Sequence, residues 1–90
     1  MNVVRIATFL SAEADIQNSL LLGFIDKQGI ATALSQKIQA AAELATQGHI
    51  QAKTNILNAF KAEINAQRGR HIRDLAARVL LDDAESLLTQ

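Results

Sequence analysis

His49 and His71 are the only histidines in the chain, and either one would need a nearby carboxylate to act as a general base. His71 has one three residues on, Asp74, and a helix start between them can bring the two side chains within reach. A nucleophile is the missing part of such a site: there is no cysteine, and no serine lies in a glycine-rich elbow. A transition metal would draw on the same two histidines with Asp82, Asp83 and Glu85, but these share no ligand spacing. Calcium needs oxygen ligands spread over a glycine-bent loop. The acidic trio instead falls inside a helical pattern, where side chains fan outward, so the expected role is a solvated acidic face. Catalytic residues, a metal site and a cofactor are not expected.

Arg68, Arg70, Arg73 and Arg78 bring four of the nine basic residues together in one short stretch. Two readings stay open. Arg68 falls at the end of a helical segment, where a cation complements the exposed carbonyl dipoles. Alternatively, Arg68, Arg70, His71 and Arg73 form an interaction corner for an anionic group, since guanidinium offers paired donors that fit planar or tetrahedral oxyanions. Nucleic acid is not the expected partner, because the formal net charge is zero and phosphate binding normally shows as a basic excess. No aromatic residue lies near the arginines in sequence to stack bases.

The elements that must position these residues follow from period and punctuation. The chain has no proline and four glycines, and Gly29, Gly48 and Gly69 divide it into segments of similar length. Each of the three is expected as a left-handed stop after a helix. The spacing predicts helices over about 9–25, 30–47, 50–68 and 74–89. The first carries Phe9, Ile16, Leu20 and Phe24, with Ser11 as its expected cap. The second presents Ile30, Leu34, Ile38, Ala41 and Ala45, and the third Ala52, Ile56, Ala59, Phe60 and Ile64, widened by Leu57. The fourth presents Ala76, Leu80, Ala84, Leu87 and Leu88. Short links between long helices favour antiparallel neighbours, so the expected fold is all-α, an up-and-down bundle of four helices in a single domain over residues 1–90.

Nearly half of the 90 residues are apolar, but with three phenylalanines and neither tryptophan nor tyrosine the core must be mostly alanine and aliphatic. A stability of about 3–5 kcal/mol is expected for a scaffold of this size. Leu20 to Ile25 is the longest uncharged apolar run, too short to cross a bilayer. Val3, Val4, Ile6, Leu22, Leu44, Leu75 and Leu81 fit none of the inward stripes. Clustered, they would mark a partner surface or a homodimer seam through the first or last helix.

One run concentrates these signals: Asn55-Ile-Leu-Asn-Ala-Phe-Lys-Ala-Glu-Ile-Asn-Ala-Gln-Arg-Gly-Arg-His-Ile72. Its frame, Asn-x-Leu-x-Ala-Phe-x-x-x-Ile-x-Ala-x-x-Gly-Arg-x-Ile, resembles the FIMAH domain, a small all-helical module near the C-terminal end of bacterial secreted hydrolases and surface proteins. The resemblance spans about 21–88. Gly29-Ile30, Leu34, Lys37-Ile38 and Ala41 resemble its second helix, and Ala76-Ala77, Leu80, Ala84 and Leu87-Leu88 continue it. Two positions depart. Lys61 stands where the family commonly has an apolar residue. Arg73 stands where it often has serine or threonine, so Asp74 is expected to take over the cap of the fourth helix. Asn55, Asn58 and Asn65, recurrent in a helix that asparagine does little to favour, are expected to tie helix ends or an adjacent loop.

The resemblance implies a non-catalytic accessory module of a larger secreted or surface protein, holding a protein or cell-surface partner. The first residues, Met1-Asn-Val-Val-Arg-Ile, lack the long apolar stretch of a signal peptide. The competing expectation is therefore a free-standing, intracellular homo-oligomeric adaptor or regulator.

Overall fold

The computed structural model describes residues 8–89. They form four helices, α1 (Phe9–Leu21), α2 (Gln28–Thr46), α3 (Ile50–Gln67) and α4 (Asp74–Leu88). Each packs on its neighbour in the chain, and α4 closes the ring on α1. Hydrogen bonds fix the directions. Glu13 near the start of α1 accepts from Ser35 and Gln39 of α2, and Lys53 near the start of α3 reaches the carbonyl of Leu87 at the end of α4. The fold is the expected all-α bundle, and Val3, Val4 and Ile6 lie outside the described residues.

Three of the four helices start and stop close to where period and glycines place them. The exception is the end of α1, four residues short of expectation. Its stop is Gly23 (φ 79°), and Gly29 is not in the left-handed region. Gly23 donates to Leu20 O and Phe24 donates to Ser19 O, the paired bonds of a Schellman turn, which needs a residue without a Cβ penalty at that position. Gly29 instead lies in the first turn of α2. α1 starts at Phe9, as expected, but its cap lies three residues before Ser11. Thr8 is the cap, and Ser11 completes a reciprocal capping box from within the helix.

The core is built as the composition requires. Phe60 is its largest fully buried side chain, surrounded by buried isoleucine, leucine and alanine from every helix. Removing one such aromatic from water contributes about 2–3 kcal/mol. The expected stripes of α2 and α4 face inward. That of α3 is rotated: the buried line is Lys53, Leu57, Phe60 and Ile64, while Ala59 is exposed. The asparagines also differ from expectation. Asn55, Asn58 and Asn65 are all exposed, and Asn55 accepts only from Gln51 of its own helix, so none ties a loop.

Candidate functional site

The two loops at one end of the bundle are stitched together, and this junction is the candidate site. At the α3 end, Arg68 (φ −60°, ψ 126°) and Gly69 (φ 82°) have the angles of a type II turn, which calls for glycine at its third position. The carbonyl of Gln67 accepts from Arg70, His71 and Ile72 in succession, so six residues are wound tightly around one oxygen. The α1–α2 loop lies against this knot. Asp26 N–H donates to His71 O at 3.0 Å and Arg73 N–H donates to Phe24 O at 2.8 Å, making an antiparallel bridge between Ile25 and Ile72. Both isoleucines are buried, which anchors the loops to the core.

Side chains complete the junction. His71 Nδ1 lies 2.9 Å from Asp26 Oδ1, so the carboxylate partner of this histidine is Asp26, not Asp74. Asp74 is occupied by arginines: Arg68 Nε donates to Oδ1 at 2.6 Å and Arg78 Nε lies 2.9 Å from Oδ2. The Arg68 hydrogen bond is the main reason the Asp74 carboxyl is held below the usual carboxylate range. Asp74 is therefore not the side-chain cap of α4. The residue at the cap position is Arg73, which makes no side-chain capping bond.

Between the loops is an open cleft of about 310 Å³, lined by Gly23, Phe24, Asp26, Gly69, Arg70, His71, Ile72 and Arg73. Three of the four predicted corner residues, Arg70, His71 and Arg73, come together here. Arg68 is turned away to Asp74. Arg70 and Arg73 are exposed and neither makes a side-chain hydrogen bond or ion pair within the described residues. Five other cations differ in this respect: Lys37 pairs with Glu63, Lys61 with Glu85, Arg68 and Arg78 with Asp74, and Lys53 donates to a backbone carbonyl. Lys27 alone joins Arg70 and Arg73 in lacking such a partner among the described residues, and it follows Asp26 in the same junction.

Sequence reasoning missed the half of the cleft that comes from Gly23, Phe24 and Asp26. The loops are far apart in the chain, with His71 lying 45 positions after Asp26. The available signal was Gly23 followed closely by the polar pair Asp26-Lys27 amid apolar residues. Phe24, placed on the first helical stripe, lines the cleft while packing partly against the core.

The acidic trio does not converge. Asp82 is exposed, Asp83 is buried and Glu85 pairs with Lys61. The expected solvated acidic face thus loses Asp83 to the interior. Among the described residues no group of three or more histidines and carboxylates could hold a metal ion, and no helix is long and apolar enough to cross a membrane.

A second surface lies between α1 and α4. Leu22 and Leu75, 68% and 61% exposed, line a shallow, mostly apolar groove of about 210 Å³ with Val79, Ala76 and Phe24. Leu44 and Leu81, expected to share such a surface, are half-buried elsewhere in the packing.

Fold and site together define a four-helix bundle whose two same-end loops are fastened into an arginine-lined cleft. No family model matches the chain, and no match is found among curated proteins or solved structures.

Proposed function

We propose that this chain is a non-catalytic helical interaction module, part of a larger secreted or surface bacterial protein, that holds a protein or cell-surface partner at the Arg70–His71–Arg73 corner. One observation carries this reading: in a chain of zero net charge, Arg70 and Arg73 line the same cleft without a side-chain partner among the described residues. Backbone hydrogen bonds already hold that cleft in shape, so a partner meets donors whose ordering cost is partly met in advance. The resemblance of residues 55–72 to the FIMAH frame supports the same reading, since such modules accompany hydrolase domains without contributing catalytic residues. The test is the intact mass of the protein as its source cell makes it. A longer exported product supports the module, and a mature chain of about this length overturns it.

The apolar groove favours a second reading, a free-standing homo-oligomeric adaptor that pairs through α1 and α4. Exposed leucines clustered on one face are the expected mark of such a seam. Light scattering coupled to size exclusion, from micromolar to near-millimolar concentration, tests it. A monomer throughout removes it, and a dimer lost on Leu75→Asp supports it.

A further inference from the structure

Resting on the module reading, we infer that the cleft between the α1–α2 and α3–α4 loops binds an acidic peptide segment, taking aspartate or glutamate carboxylates on Arg70 and Arg73. The ligand class follows from what the cleft leaves unsatisfied. Arg70 and Arg73 line it with guanidinium donors that no carboxylate among the described residues engages. The neighbouring arginines are different, because Asp74 takes both Arg68 and Arg78. A planar carboxylate matches the fork of a guanidinium in two parallel hydrogen bonds.

The cleft also carries an acceptor. Asp26 uses Oδ1 for His71 and its side chain remains largely exposed, leaving acceptor capacity facing the cleft. A ligand that satisfies both kinds of group must bring donors as well as anionic acceptors. A peptide does so with its backbone N–H groups, while a phosphate polyanion brings few donors. Size agrees, because a cleft of about 310 Å³ holds one or two side chains and not an extended polyanion. Half-buried Phe24 supplies an apolar wall for the methylene groups of a glutamate.

The probe is a short blocked peptide, acetyl-Gly-Glu-Glu-Gly-amide, titrated into the whole labelled chain and followed by backbone amide chemical shifts. Its Gln-Gln counterpart and inorganic phosphate are the comparison ligands. Saturable shifts confined to residues 23–26 and 69–73 are expected, with affinity falling by about tenfold or more in the Arg70→Gln/Arg73→Gln double variant. Arg78→Gln, outside the cleft, is expected to leave the affinity unchanged. Unaltered amide shifts in α2 establish that each variant is folded. Binding of the neutral peptide with equal affinity overturns the carboxylate inference while leaving the interaction cleft in place. Phosphate binding as tightly, with the same dependence on the arginines, overturns the peptide in favour of a simple oxyanion. No shift in the cleft with any of the three overturns the inference, while the module reading is decided separately by the intact mass.

Discussion

Lys53 Nζ lies 3.1 Å from the carbonyl oxygen of Leu87, joining the first turn of α3 to the last turn of α4. The lysine is only 3% exposed and sits in line with Leu57, Phe60 and Ile64 on the inward face of its helix. A helix end exposes carbonyls that have no partner within the helix, and a cation there also complements the dipole. The stem of the lysine fills the core while its ammonium closes the end of α4. Lys53→Met, which keeps the stem and removes the donor, is expected to lower stability by about 1–2 kcal/mol. Lys53→Ala adds a cavity and is expected to cost about 2–4 kcal/mol. Urea denaturation midpoints measure both. A Lys53→Met variant more stable than the parent would mean that desolvating the ammonium outweighs its hydrogen bonding.

Gly29 and Gly69 offer a controlled comparison. A Cβ built at either position meets nothing within 4 Å, so packing does not separate them and only the backbone does. Gly69 has φ 82°, and alanine there is expected to cost about 1–2 kcal/mol. Gly29 has a helical role in the first turn of α2, and Gly29→Ala is expected to raise stability by about 0.5–1 kcal/mol. Thermal unfolding of the two single variants decides it. Equal effects of the same sign would contradict the assignment of Gly23 rather than Gly29 as the stop between the first two helices.

That misplaced stop shows where the sequence was legible and where it was not. The ends of α2 and α3 could be read because Gly48 and Gly69 follow apolar periods that cease there. At the end of α1 the period does not cease. Ile16, Leu20 and Phe24 keep helical spacing across Gly23, because the Schellman turn folds Phe24 back over the helix end. The face of α3 was misread for a related reason. A hydrophobicity pattern discounts a lysine and favours Ala52 over Lys53, which turns the expected stripe away from the buried line of Lys53, Leu57, Phe60 and Ile64. Arg70, His71 and Arg73 were recognisable as a corner from their spacing alone. Their opposing wall was not, because Asp26 meets His71 only through the closure of the bundle, and no local pattern records that contact. Of the two paired arginines, Arg78 meets Asp74 four residues back on its own helix, a spacing that sequence records, whereas Arg68 reaches Asp74 across the α3–α4 turn, which no helical period records.

Acid should weaken this fold through identifiable groups. Glu13 is held below the ordinary glutamate range by hydrogen bonds, first from Ser35 and then from Gln39, tying α1 to α2. Asp74 is held low chiefly by Arg68, tying the end of α3 to the start of α4. A carboxyl with a depressed folded-state pKa releases its proton more readily in the native state than in the unfolded chain. Its contribution is therefore present above the unfolded-state value and lost as pH falls through the folded-state value. Asp74→Asn is accordingly expected to be less stable than the parent near neutral pH, with the difference shrinking as pH is lowered below the ordinary aspartate range and the parent carboxyl protonates. Both side chains of the Arg68–Asp74 pair are well exposed to solvent, so added salt should shrink the difference as well. Urea midpoints of parent and variant at the two pH values, each at low and high salt, make the comparison. A gap that is the same at both pH values would mean that the charge on Asp74 does not help to hold α3 and α4 together, leaving the backbone turn around Gln67 to do so.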